Sequence, residues 1–323
     1  MKYIRQFYEN LHDITLLGGK GLNLVKLFNE NFNVPPGFIL TTKAQKDFMN
    51  NSEHKEKLFS LISKDIQLGN LLSDSEKIQN LILDSTIPVE ILNEIKNAYI
   101  SLKRHLKRGK RYAVRSSATI EDSQIASFAG QADTYLFRES LEEIIYSIKK
   151  CWTSLYSPRS ILYITQLNKM GKNISLDQVY MAVVVQEMIH SDISGVLFTA
   201  NVLNNNRDQI LINSCWGLGE ALANNIVIPD TIILDKDSSQ VVRQIIGKKE
   251  KMVVPDMEHS CTKITETRKN QRKNICISQD QIKNLHRCAV DIESLYEYPQ
   301  DIEWAIKDNE IFILQTRPIT TLN

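Results

Sequence analysis

The apolar and polar positions of this chain change period along its length, and each change marks an element. Leu22, Val25, Leu27 and Phe28 fall at helical spacing and predict a helix there. Residues from Lys43 to Lys110 are polar and periodic, with Leu92, Ile95, Tyr99 and Leu102 forming one stripe, and predict packed helices without chemistry of their own. Further helices are predicted around Leu141 to Leu155 and through Leu285, Ala289 and Ile292, the latter opened by Ser278 and Gln281 at capping-box spacing. Short β-rich runs predict strands at Phe38–Leu40, Tyr112–Val114, Tyr180–Met188, Ser194–Thr199, Thr231–Leu234 and Val241–Ile246. Thr41 or Thr42 is placed to cap the helix after the first of these. A strand, a glycine turn at Gly217-Leu-Gly219 and a helix start follow one another from Ile210, and Met257 to Asn274 reads as an irregular surface loop.

The last run, Asp301 to Pro318, is two alternating segments around a polar turn, which predicts a β-hairpin. Opposed residues of an antiparallel pair point to one face, so the pattern implies a register. Pairing Ile306 with Phe312, Trp304 with Leu314 and Ile302 with Thr316 makes one face apolar. The same pairing sets Glu303 opposite Gln315 and Asp301 opposite Arg317 on the other face. Carboxylate and amide oxygens suit Mg²⁺, and a neighbouring arginine suits phosphate. Exposed cross-strand ion pairs are an equally good account of the hairpin taken alone.

Composition narrows the class. A chain of 323 residues can bury a core and hold two lobes, and its 42% hydrophobic and 24% charged content is that of a soluble globular protein. A net charge of +1 supplies no field for nucleic acid or membrane. The basic runs Lys103–Arg111 and Arg268–Lys273 carry no interleaved aromatics. Five cysteines without a C-x-x-C pair suggest neither a zinc site nor a disulfide framework and fit a reducing cytoplasm. No apolar run approaches the length of a membrane span.

Other stretches carry candidate chemistry. In Gly18-Gly-Lys20-Gly21, glycines before a helix let backbone N–H groups meet an anion within reach of Lys20, though a simple turn into a helix is more common and the Walker spacing is absent. Arg115-Ser-Ser reads as a loop after a strand, serving either as a phosphate clamp or as a turn with hydroxyl caps. Gly130, in the small-residue stretch Ala126–Thr134, would permit close approach to a ligand. Gly217-x-Gly219 lacks the third glycine of a dinucleotide fingerprint.

Ten motifs then fall in one order: Gly18-Gly-Lys-Gly21, Val34-Pro-x-Gly-Phe38, Val114-Arg-Ser-Ser-Ala-Thr119, Ala126-Ser-Phe-Ala-Gly-Gln131, Val185-Gln-x-Met188, Ser194-Gly-Val-x-Phe-Thr199, Gly217-Leu-Gly-Glu220, Pro229-Asp230, Asp301-Ile-Glu-Trp-Ala305 and Gln315-x-Arg-Pro318. In this the chain resembles the N-terminal ATP-binding domain shared by phosphoenolpyruvate synthase, pyruvate phosphate dikinase and rifampicin phosphotransferase. The resemblance implies an α+β ATP-grasp fold of two mainly antiparallel lobes, 1–188 and 189–323, holding ATP and Mg²⁺ between them. It implies that Lys20, Arg115 and Arg317 act on the phosphates. Gln186, Glu187 and Met188 would meet adenine, Gly130, Gln131 and Thr134 would belong to a loop closing over the phosphates, and Asp301, Glu303, Gln315 and Arg317 would form the metal and phosphate hairpin, with Glu303 and Gln315 on Mg²⁺.

In the family so resembled, the β-phosphoryl group passes to a histidine on a swivelling domain, and a further domain binds the final acceptor. The chain stops soon after Pro318 and none of its histidines has the family's context. The expectation is therefore a cytoplasmic phosphotransferase module that needs a histidine-bearing partner domain or subunit, with a non-catalytic ATP-binding regulatory module as the alternative. Two departures stand out: Ile164 where relatives carry a second arginine, and Asn225 where they carry glycine.

Overall fold

The computed structural model describes residues 1–63, 68–106, 111–120, 133–171 and 174–322. The chain divides into two compact units, one formed by Met1–Asn29 and Pro36–Met188, the other by Glu30–Pro35 and Ile189–Asn323.

The first unit is built on an antiparallel sheet of β1 (Ile4–Gln6), β2 (Gly37–Leu40), β3 (Tyr112–Ala118), β4 (Thr134–Arg138) and β5 (Met181–Glu187) in the order β1-β2-β5-β3-β4. Its helices are α1 (Ile14–Asn29), α2 (Thr42–Asn50), α3 (Lys55–Ile62), α4 (Leu71–Asp84), α5 (Val89–His105), α6 (Leu141–Ser154) and α7 (Pro158–Lys169). Tyr112, Val114 and Ala118 of β3 and Met181, Val183 and Val185 of β5 join one apolar core with residues of α2 to α7. Phe48 and Trp152 stack within it, ring centroids 4.7 Å apart. Ile164 is also buried there, which accounts for an apolar residue at that place.

Local signals explain several boundaries. Ser140 and Glu143 form a reciprocal capping box at the start of α6. Thr41 occupies the N-cap position of α2 but makes no side-chain capping bond, and Thr42 Oγ1 donates instead to Thr15 O at 2.6 Å. Arg115 does not open a loop as its sequence suggests. It lies inside β3, paired with Thr134 of β4 on one side and Val184 of β5 on the other, and β5 carries the ladder on to Ala118.

In the second unit β6 (Ile193–Phe198), β7 (Gln209–Trp216), β8 (Asp230–Asp235), β9 (Val241–Ile245), β12 (Gln300–Lys307) and β13 (Glu310–Pro318) form an antiparallel sheet in the order β13-β12-β6-β7-β8-β9. The stretch Met257 to Asn274, read as an irregular loop, instead contains β11 (Cys261–Glu266), which pairs with the preceding β10 (Lys251–Asp256), and α9 (Lys269–Arg272). Helix α8 (Glu220–Ala223) follows the glycine turn, and α10 (Gln279–Tyr296) opens on a capping box at Ser278 and Gln281.

Segment Glu30–Pro35 departs from a continuous lobe over 1–188: Asn33 Nδ2 donates to Ile311 O at 2.7 Å and Asn33 O accepts from Ile313 N at 3.0 Å, so it edges β13. Asn225 adopts φ 53°, a left-handed conformation that favours glycine and that asparagine tolerates. Asp230 and Lys249 form an ion pair with both side chains essentially inaccessible. Asp230 also accepts from Gly247 N at 2.9 Å and Cys276 N at 2.8 Å, joining three separate stretches of chain.

Candidate functional site

In the second unit the hairpin keeps the predicted register at its polar end: Asp301 faces Arg317, Ile302 faces Thr316 and Glu303 faces Gln315. Beyond Glu303 the register shifts by one residue, so that Trp304 faces Ile313, Ala305 faces Phe312 and Ile306 faces Ile311. The predicted pairs of Trp304 with Leu314 and Ile306 with Phe312 are therefore wrong. The physical reason is the turn. Asp308 and Asn309 both take positive φ, 51° and 65°, giving a two-residue turn that sets Lys307 against Glu310. That register differs by one residue from the one the far end requires, and a bulge at Leu314 takes up the difference. As a result Phe312, Ala305 and Leu314 gather in a small apolar cluster with Ile189.

The electrostatics of the polar end are uneven. Arg317 Nε and a terminal guanidinium nitrogen, at 2.8 and 2.7 Å, both bond Oδ2 of Asp301. Asp301 is 8% exposed, and its Oδ1 is buried with no hydrogen-bond partner among the described residues. Burial pushes the Asp301 carboxyl above its ordinary value, Arg317 pulls it down, and Glu303 pushes it up again. Gln315 is buried and Glu303 half-buried. The hairpin thus gathers two carboxylates and an amide on one side of a guanidinium.

The strand pair is fastened to the sheet by Trp304 and Gly195. These two are register partners in β12 and β6, and a Cβ on Gly195 would lie 2.2 Å from the indole. Only glycine leaves room for the ring next to Glu303.

In the first unit, Lys20 of α1 reaches β3, the strand that carries Arg115. Helical geometry is interrupted at Gly18, with φ 66° and ψ 175°, so α1 is two helical pieces and the glycines lie at the start of the second. Ser117 Oγ accepts from Gly21 N at 3.0 Å and donates to Leu17 O at 2.9 Å, while Lys20 Nζ donates to Ser116 O at 3.2 Å. Both Lys20 and Arg115 are more than nine-tenths buried, at 7% and 8% exposure. Ser117 is the residue that sequence reading missed as the tie between glycine motif and strand. Its only signal was the position of the second serine after Arg115.

Register sorts the remaining candidates. Thr134 is opposite Arg115 across β3 and β4; Val184 is opposite Arg115 and Gln186 opposite Ala113 across β3 and β5. Residues two apart along a strand share a face, so Arg115, Thr134 and Gln186 lie on one side of the sheet. Glu187 is opposite Tyr112 and lies on the other, core-facing side. Burial, with Tyr99 and Glu187 nearby, raises the Tyr112 hydroxyl. Met188 is buried, and the backbone N–H groups of Glu187 and Met188 donate to Pro36 O at 2.8 Å and Arg111 O at 2.9 Å. Gly130 and Gln131 lie outside the described residues.

Each unit thus gathers polar and charged side chains of its own: Lys20 and Arg115 in the first, and the acid, amide and guanidinium groups of the hairpin in the second. The chain belongs to the family described as pyruvate phosphate dikinase, AMP/ATP-binding domain, which matches residues 14–323. It is 35% identical to phosphoenolpyruvate synthase of Pyrococcus furiosus, over 99% of this chain and 44% of that one. A probable phosphoenolpyruvate synthase of Methanocaldococcus jannaschii is 36% identical over 100% of this chain and 27% of its own length. Rifampicin phosphotransferase of Bacillus cereus is 37% identical over 95% of this chain and 34% of its own. The chain thus spans from 27% to 44% of the length of these relatives. Among the described residues no helix is long and apolar enough to cross a membrane.

Proposed function

We propose that this chain is the ATP-grasp module of a phosphotransferase: it binds ATP with Mg²⁺ and passes the β-phosphoryl group to a histidine on a further domain or a partner subunit. The β–γ and α–β bonds of ATP break, the histidine nitrogen takes the β-phosphoryl group, water takes the γ group as inorganic phosphate, and AMP remains. The location is the cytoplasm. The final acceptor, pyruvate, an antibiotic hydroxyl or another small molecule, is chosen outside these residues.

The observation that carries this reading is Asp301 Oδ1. A buried carboxylate oxygen left without a partner, while both bonds of its arginine go to the other oxygen, is costly unless a ligand completes it. With Glu303 and Gln315 it makes a set of hard oxygens that fits Mg²⁺. Bound there, the ion would neutralise charge spreading over the transferred phosphoryl group. In the second unit Arg317, held by Asp301, would supply positive charge beside these oxygens; in the first, Arg115, held by its strand, and Lys20, held by the Ser116 carbonyl, would each offer an oriented charge to phosphate. Burial keeps water from screening Lys20 and Arg115. Thr134, on the face of Arg115, adds a hydroxyl. Gln186 to Met188 form the purine end, where Gln186 shares a face with Arg115 and Glu187 would contribute through its backbone.

The reading is tested by incubating the chain with Mg²⁺ and ATP labelled at the β position, together with a histidine-bearing phosphocarrier domain of a relative. AMP and label on that domain are expected. ATP binding by calorimetry with no AMP and no label would favour a non-catalytic ATP-binding module, and absence of binding would remove both.

A further inference from the structure

Phe137 is an aromatic residue with 1% exposure held at φ 58°. A bulky side chain takes this left-handed conformation only where its surroundings impose it. The imposing feature is a bulge in the β3–β4 ladder: Tyr112 is opposite Arg138 and Val114 opposite Tyr135, so Leu136 and Phe137 both stand against Ala113. Glycine is the default at the left-handed place of such a bulge and would serve the fold without strain. Strain of this sort is kept where it does something else.

What it does here is direct the Phe137 N–H to Met188. That N–H donates to Met188 Sδ at 3.4 Å, a weak acceptor for a buried peptide donor. The backbone of Met188 is held by the same corner, its N–H donating to Arg111 O at 2.9 Å. Arg111 in turn lies 5.7 Å from the Phe137 ring centroid and pairs with Glu139 Oε1 at 2.5 Å. Met188 is therefore fastened at both ends, its peptide by Arg111 and its thioether by Phe137. A methionine otherwise has three rotatable bonds and adapts to what it touches.

We propose that Phe137 is a positioning residue: through its left-handed backbone it fixes the Met188 side chain, and with it the fit of a purine base at the end of β5. The second half of this statement rests on the reading of Gln186 to Met188 as the purine end of an ATP site. Phe137 itself touches no reacting atom.

The test separates backbone from ring. Alanine at this position favours negative φ and would swing the N–H away, whereas glycine keeps positive φ and loses only the ring. The full chain is labelled with ¹³C-methyl methionine, and the Met188 signal is assigned by its loss in Met188→Leu. The order of the Met188 methyl axis should fall in Phe137→Ala and persist in Phe137→Gly. The ATP Kd from calorimetry should rise roughly tenfold in Phe137→Ala and in Met188→Leu, the size of a single misfit in an apolar pocket, with no further rise in the double variant and less than about twofold in Phe137→Gly. Met188→Leu leaves the bulge intact, so it reports even where the alanine variant folds poorly; its Phe137 amide should exchange faster with solvent. An unchanged Phe137 amide in Met188→Leu, or equal loss of methyl order in the alanine and glycine variants, would overturn the proposal and make Phe137 core packing only. If the wild-type chain binds no ATP, the functional reading falls, while methyl order and amide exchange still decide whether Phe137 places Met188.

Discussion

A Cβ atom built on Gly18 would lie 2.1 Å from the carbonyl oxygen of Ser117. The glycine motif is therefore more than a flexible approach to a helix: it is the place where α1 breaks and touches β3. Because φ is also 66° there, alanine at Gly18 meets both backbone strain and a clash with main chain that cannot rotate away. We expect Gly18→Ala to cost at least about 1–3 kcal/mol of stability, read as a lower midpoint in urea, and to weaken ATP binding, because Lys20 is carried by the same turn. An unchanged midpoint would mean that the break in α1 relaxes freely.

Glu303→Ala and Gln315→Ala should each weaken Mg²⁺-dependent ATP binding by roughly tenfold or more, on the order of a lost metal ligand's partner interactions. Each should lower the melting temperature far less than a core truncation would, since both residues are on the polar side of the hairpin. Calorimetry with and without Mg²⁺, paired with thermal denaturation, distinguishes the cases. A large melting shift with intact Mg²⁺ dependence would assign both residues to the fold.

The Asp230–Lys249 pair predicts a different pattern. Neither side chain reaches solvent, so Asp230→Ala leaves a buried ammonium and two orphaned peptide N–H groups. A loss of about 3–5 kcal/mol is expected from either Asp230→Ala or Lys249→Ala, and the double variant should lose less than the sum. Additive losses in denaturant titrations would show that the two groups act separately.

Glu143 gives a pH signature. Its carboxylate accepts from Ser140 N and Glu139 N at 3.0 and 2.8 Å, and these backbone bonds hold it below the ordinary carboxylate value. A depressed folded-state value adds stability that is present above the unfolded value and is lost as pH falls through the folded one. Glu143→Gln keeps an acceptor but not the charge. The wild type should exceed it by about 0.5–1 kcal/mol near neutral pH, with the difference shrinking below about pH 4.5, the ordinary glutamate range. A gap that stays constant into acid would mean that charge contributes nothing to the cap.

Legibility in the sequence followed the range of the interactions concerned. The cap at Ser278, the helical stripe through Leu92 and Leu102, and the polar end of the final hairpin depend on nearby stretches of chain, and the pattern of side chains alone determined them. So did the family, because ten short motifs kept their order. The rest depended on distant partners. Arg115 is a strand residue because β4 and β5 flank it, and Ser117 matters because α1 breaks against it. Leu314 bulges because a tight turn and the far end of the hairpin demand different registers, while Phe137 is strained because two residues of β4 face one of β3. Side-chain periodicity records which face a residue prefers, but a bulge, a break or an orphaned carboxylate oxygen exists only once another segment has come within bonding distance, and that the tertiary structure alone decided.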